Sequence, residues 1–357
     1  MPNNLKLHFP MIRDRGEIVK KIEEIPKLKE MFYSWEETYQ HEFLDFCTGV
    51  RGFKLLYDSF FKEILNPDTT PERLEALLSL ILDFKVKILK VLPTDSSRIA
   101  AECCLLVLDI VVELEDGSIA NIEMQKIGYA FPGQRSACYS ADLLLRQYKR
   151  LKGEKGKKFS YKDIKKVYTI VFFEKSTSDF QRYPDIYLHH FQQKSDTGLE
   201  LSLLQEYIFI SLDIFKKTLD NNNKTITNEL EAWLTFLCID DPDMILRLIM
   251  DYPKFEDLYR DVYMLCLNLE RMMEMFSKEL AELDKNTVQY MIDEMQDTID
   301  EQKDTIDEQK DTINEQKDMI DEQKDTIDEQ NALINSLQES IVSLQKELEG
   351  LKDKLRK

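Results

Sequence analysis

The sequence predicts an α/β core, then an all-helical segment, then a long coiled-coil tail. Three observations carry this. Between residues 51 and 220, helical patterns alternate with apolar, β-branched runs of strand length, such as VYTIVFFE at 167–174. From Ile226 onward the apolar spacing is helical only, in ELEAWLTFLC, MILRLIMDY and FEDLYRDVYMLCLNLERMMEMFSKELAEL. Residues 297–331 then hold five near-copies of one heptad: DTIDEQK, DTIDEQK, DTINEQK, DMIDEQK and DTIDEQN. The expected divisions are a helical segment at 1–45, the α/β domain at 46–220, a helical subdomain at 221–285 and a coiled coil at 286–357.

Residues 1–45 are charged and read as short helical pieces, interrupted at Pro26. RGFKLLYDSFFKEIL, 51–65, reads as an amphipathic helix. Asn66-Pro67 ends it, because the residue before proline avoids helical backbone angles. The next helix, 71–83, begins where Thr70 can cap and Pro71 suits the first turn. VKILKVLP, 86–93, reads as a strand stopped by Pro93.

Residues 101–126, AECCLLVLDIVVELEDGSIANIEMQK, carry a hairpin signature, with Glu115-Asp116-Gly117 as the turn. A three-residue loop with Gly117 in the left-handed conformation pairs Leu114 with Ser118 and sets Asp109 opposite Glu123. Val107, Asp109, Val111, Asn121, Glu123 and Gln125 then share one face. Leu108, Ile110, Val112, Ala120, Ile122 and Met124 share the other, a set suited to a core. A two-residue loop would break this parity. Facing Cβ atoms lie roughly 5 Å apart, close enough for two carboxylates to hold one cation. A carboxylate inside an apolar strand needs a partner, because desolvating it alone is costly. A surface pair, or a buried Arg beside it, would serve equally well.

After the hairpin, Phe131-Pro132-Gly133 breaks the chain and QRSACYSADLLLRQYKRLK reads as a long helix. Gln134, Arg135, Tyr139, Asp142 and Arg146 recur along one of its faces. Arg135 there either clamps a phosphate or pairs with Asp142 or another carboxylate. Lys149 to Lys158, KRLKGEKGKK, is the most basic stretch. It reads as a mobile loop, either touching phosphate or simply solvated. IYLHHF and LLQEYIFISL add two strands, and the asparagine-rich 220–223 is a turn.

Asp109 followed by Glu123-Met124-Gln125 resembles the PD-(D/E)XK nuclease superfamily. The words LLVLDIVVELEDGSIANIEMQK, FPGQRSACYSADLLLRQY and YDSFFKEIL are similar to one branch of it, the PD-(D/E)XK nuclease family transposases, related to recombination-promoting nucleases. The resemblance covers roughly residues 45–290. Leu108 stands where the superfamily has Pro, and Gln125 where it usually has Lys, a change this branch tolerates. The resemblance implies a restriction-endonuclease-like mixed sheet flanked by helices. It also implies a Mg²⁺- or Mn²⁺-dependent DNA endonuclease acting in recombination or transposition. Asp109 and Glu123 would hold the metal, Asp58 of the Asp58-Phe61-Lys62 element would complete the ligands, and Gln125 would hydrogen-bond the water or phosphate. Arg135, Lys149 and Arg150 are the candidate substrate contacts. Lys126 should point to the opposite face from Gln125. The exchange at Gln125 and the acidity of the chain favour an alternative, a catalytically inactive DNA-binding or assembly protein on the same scaffold.

The net charge of −19 argues against non-specific coating of nucleic acid. It is uneven: residues 292–357 carry −11 and residues 1–291 carry −8. The six cysteines lack metal-ligand spacing and mostly sit in apolar contexts, as in a reduced cytoplasmic protein. His189-His190 reads as structural, since zinc needs more ligands at defined spacing. The opening MPNNLKLHFP has no secretion-signal pattern, and no apolar run approaches about 18 residues, so neither export nor a membrane span is expected.

In the tail, Ile recurs every seventh residue from Ile292 to Ile341, and Leu348 and Leu355 continue the row. With that row at a, Gln302, Gln309, Gln316, Gln323 and Gln330 occupy d, followed by Leu337, Leu344 and Leu351. The apolar C-terminal seam should anchor a parallel homo-oligomer, with glutamine layers favouring in-register pairing. The rod would be about 100 Å long.

Overall fold

A computed structural model describes residues 4–94, 109–127 and 132–355. The helices are α1 (Asn4–His8), α2 (Arg15–Glu24), α3 (Pro26–Ser34), α4 (Glu37–Cys47), α5 (Asp58–Ile64), α6 (Pro71–Leu82), α7 (Pro132–Lys155), α8 (Ser178–Gln181), α9 (Leu212–Asn221), α10 (Glu229–Cys238), α11 (Pro242–Asp251), α12 (Lys254–Leu265) and α13 (Leu269–Leu355). The strands are β1 (Ile88–Val91), β2 (Ile110–Leu114), β3 (Ile119–Ile127), β4 (Val167–Lys175), β5 (Leu188–Gln192) and β6 (Gln205–Ser211).

The strands form one mixed sheet in the order β1-β2-β3-β4-β6-β5. Local connections explain the directions. A tight turn joins β2 to β3, which therefore pair antiparallel. The 24-residue α7 carries the chain back across the sheet, so β4 runs parallel to β3, and β6 runs parallel to β4. Strand β5 closes the far edge antiparallel to β6.

Both faces of the sheet are covered. Ile110, Val112, Ala120 and Ile122 pack into the larger core with Ile170, Phe172 and Ile208. On that side the Phe61 ring of α5 lies 6.1 Å from that of Phe172. On the other face, Val111, Ile119 and Val167 meet Tyr139 and Leu143 of α7. Central strands buried on both sides account for the nearly uninterrupted apolar run of β4.

The chain divides into two compact units, Met1–Met291 and Ile292–Lys357. Within the first, the N-terminal helices and the helices after β6 share the sheet's core instead of forming cores of their own. Trp35 stacks edge-on at 5.1 Å against Phe276, for example. Capping follows composition: Asn228 accepts from Glu231 N–H at 2.9 Å, and Asp241, just before Pro242, accepts from Met244 N–H at 2.9 Å.

Two expectations are corrected. The helix expected over 51–65 begins only at Asp58. The preceding segment is held against the turn before α11: Gly52 N–H donates to Asp240 C=O at 2.7 Å, and a Cβ at Gly52 would fall 2.2 Å from Ile245 Cδ1. The basic stretch 149–158 is no loop. Helix α7 runs through Gly153 to Lys155, and a 3-10 turn, Gly156–Lys158, follows with Gly156 at φ +52°. Tertiary anchoring of the last turns of α7, through Gln147 and Arg150, outweighs the modest cost of a helical glycine.

Cys47, Cys238 and Cys266 are buried free thiols and Cys138 is an exposed one, while Cys103 and Cys104 lie outside the described residues. Among the described residues, no helix is long and apolar enough to cross a membrane.

Candidate active site

The turn between β2 and β3 sets the site. Gly117 takes φ +84°, a conformation that side chains with a Cβ resist, and its N–H donates to Leu114 C=O at 2.9 Å. Leu114 N–H donates to Ser118 C=O at 2.8 Å, and Ser118 N–H to Asp116 Oδ1 at 2.9 Å. The pairing then runs Val112 with Ala120, Val111 with Asn121 and Ile110 with Ile122. The next step outward sets Asp109 beside Glu123, as the three-residue loop requires.

Each of these acids reaches across to the other's strand. Asp109 Oδ2 accepts from Met124 N–H at 2.8 Å, and Asp109 N–H points to Glu123 Oε1 at 3.4 Å. Lys62, on α5, places its Nζ 3.1 Å from Asp109 Oδ1. Glu123 is only 5% exposed. Burial first, and then the neighbouring charge of Asp109, push its carboxyl well above the usual carboxylate range. Two acids so placed resist ionising together unless a cation joins them.

Gln125 follows on the same face of β3 and is also buried. Among the described residues its Oε1 has no hydrogen-bond partner. Ser136 of α7 and Thr169 of β4 are buried as well, so this face of the sheet under α7 carries a polar layer leading to the acids.

The expected substrate contacts separate. Arg135, in the first turn of α7, donates from Nε to Tyr139 Oη at 2.6 Å and lies 5.4 Å over that ring. Its charge also acts on Glu123, which places it near the acids. It does not take Asp142, which pairs with Arg146 at 2.6 Å. Lys149 is exposed near the other end of α7. Arg150 binds Glu113, which Lys90 also approaches at 3.2 Å. Glu113 stands four residues along the strand from Asp109, about 13 Å away. The backbone of Asp58 opens α5 one turn before Lys62, and its side chain lies outside what the structure describes, as does that of Lys126. His190 Nε2 lies 2.9 Å from Glu206 Oε2 and His189 Nε2 lies 3.1 Å from Ile186 C=O, so both have structural partners. Among the described residues, no three His, Cys, Asp or Glu side chains gather as a ready-made metal cluster.

Lys62 belongs to the Asp58-Phe61-Lys62 element, where only Asp58 carries an expected role. The available signal was its four-residue spacing from Asp58, which puts the two positions on one helical face.

A mixed sheet, a crossover helix and adjoining acids on its hairpin define an α/β core of the restriction-endonuclease-like class. The chain belongs to the PD-(D/E)XK nuclease family transposases, whose family model matches residues 55–292. No curated protein and no solved structure gives a significant match.

Proposed function

We propose that this chain is a divalent-metal-dependent DNA endonuclease, acting in recombination or transposition in the cytoplasm. The observation that carries the reading is the convergence of Asp109 and Glu123, each held against the other's strand. Their oxygens suit Mg²⁺ or Mn²⁺, hard cations that bind through one or two carboxylates and retain water. The raised Glu123 carboxyl fits this chemistry, since a bound cation offsets both causes of the rise, burial first and then the charge of Asp109. Asp58 is the candidate third ligand.

When bound, the ion supplies charge neutralisation at the phosphate and a more acidic water. The protein does the positioning. Met124 N–H fixes the Asp109 carboxylate, and Gln125 offers an amide to the water or the phosphate. Arg135 stabilises phosphate charge from the start of α7, and the exposed Lys149 is available to the DNA farther out. Supercoiled plasmid tests this. Nicking is expected in Mg²⁺ and lost in Asp109→Ala. Mg²⁺-dependent binding without nicking would favour a binding or assembly protein, the reading that the neutral Gln125 supports.

We further propose parallel self-association through α13. Its heptad row stands about half exposed in the single chain, with Ile306 at 50%, Ile320 at 51% and Ile334 at 50%. The eight described positions of that row from Ile299 to Leu348 are all exposed, and such a stripe calls for a partner helix. Sedimentation of the full chain should give an oligomer, and a chain ending at Met291 a monomer. Equal monomeric mass for both would reject the coil.

A further inference from the structure

We propose that Lys62 is a phosphate-binding cation of this site beside Arg135, supplying from helix α5 the positive charge that Gln125 cannot. The proposal rests on the nuclease reading and adds a residue to it. Three observations support it.

The first is placement. Helix α5 is pinned to the body of the protein: Phe60 and Phe61 are buried, and Ser59 N–H donates to Glu279 Oε1 at 2.6 Å. Lys62 therefore projects from a fixed base to within 3.1 Å of Asp109 Oδ1. The other oxygen of Asp109 is already engaged by Met124 N–H.

The second is access. The Lys62 side chain is 35% exposed and that of Asp109 15%, whereas Glu123 is 5% exposed and Gln125 7%. The ammonium is therefore the most solvent-accessible of these groups, open to a DNA phosphate. Of the two polar groups, the Lys62 ammonium and the Gln125 amide, Gln125 is the more buried.

The third is charge. Asp109 and Glu123 already balance one divalent ion and Asp58 would add a third carboxylate, so the phosphodiester brings an excess of negative charge that Arg135 alone does not cover. In the metal-free protein, Lys62 neutralises Asp109. Once a divalent ion takes over Asp109, the flexible lysine stem lets the ammonium turn to a non-bridging phosphate oxygen. Lys62 thus serves in turn as counter-ion to the empty site and as contact to the substrate.

Two readouts that need no cleavage test this in the full-length protein. Lys62→Met keeps the length of the stem and removes the charge. Without DNA, it should bind Mn²⁺ about tenfold more tightly, because the competing ammonium is gone. In Ca²⁺, it should bind duplex DNA about tenfold more weakly, and Lys62→Arg should restore most of that loss. In Mg²⁺, nicking by Lys62→Met should fall at least about a hundredfold. DNA affinity equal to the parent's in Lys62→Met overturns the proposal. So does equal loss in Lys62→Met and Lys62→Arg, which marks a purely structural lysine. A parent that binds DNA in Ca²⁺ but never nicks removes the nuclease reading alone, and the binding comparison still decides Lys62. A parent that binds no DNA removes both.

Discussion

Glu123→Gln should lower Mg²⁺-dependent nicking by about a thousandfold while making the metal-free protein more stable, by about 1–2 kcal/mol near neutral pH. Both effects come from one cause. Glu123 is buried beside Asp109, and these two factors raise its carboxyl well above the ordinary range. A carboxyl whose folded-state value lies above its unfolded value binds its proton more tightly in the folded protein. Its contribution is therefore fully present below the unfolded value, 4.5, and is lost as pH rises through the raised folded value. Above that range the folded chain carries a buried repulsion that the unfolded chain does not. The amide removes the repulsion but also a metal ligand. Urea denaturation across pH should show the variant gaining on the parent as pH climbs above about 4.5, and saturating Mg²⁺ should reverse the ranking at neutral pH. Equal stability of the two proteins at every pH, with and without Mg²⁺, would rule out the buried pair as described.

Arg150→Ala should cost about 2–4 kcal/mol of stability and leave the DNA affinity of the folded protein unchanged. Arg150 is the principal partner of Glu113, whose side chain is 11% exposed, and Lys90 is its only other cation among the described residues. Removing Arg150 leaves a nearly buried carboxylate with only the more exposed Lys90 to compensate it, in a poorly solvating place. Arg150→Ala with Glu113→Gln should recover much of the loss. Arg135→Ala should behave in the opposite way: small in urea denaturation, clear in DNA binding. A drop in DNA affinity for Arg150→Ala at full stability would restore it to the substrate surface.

The two arginines show where sequence reasoning reaches and where it stops. Both lie on a helix that the spacing of Leu, Tyr and Arg residues predicts. Periodicity assigns each to a face but does not say what the face meets. Arg135 falls near the acids because α7 begins where β3 ends, a local consequence of the crossover. Arg150, fifteen residues on and about 22 Å along the axis, meets the turn end of the hairpin. The basic stretch 149–158, which includes Arg150, reads as a loop because two glycines and many lysines are poor local evidence for a helix. Packing of α7 on the sheet outweighed them as far as Lys155.

The sequence by itself determined the hairpin and its register. A three-residue turn, a glycine at positive φ and period-two alternation are short-range features, and they alone bring Asp109 next to Glu123. It determined the heptad helix for the same reason, since seven-residue spacing is written along the chain. Only the tertiary structure decided that Lys62 reaches Asp109, that burial raises the Glu123 carboxyl, and that Arg150 is tied to Glu113. Those facts join segments distant in sequence, and they depend on which surfaces exclude water when helices close over the sheet. No local pattern encodes that.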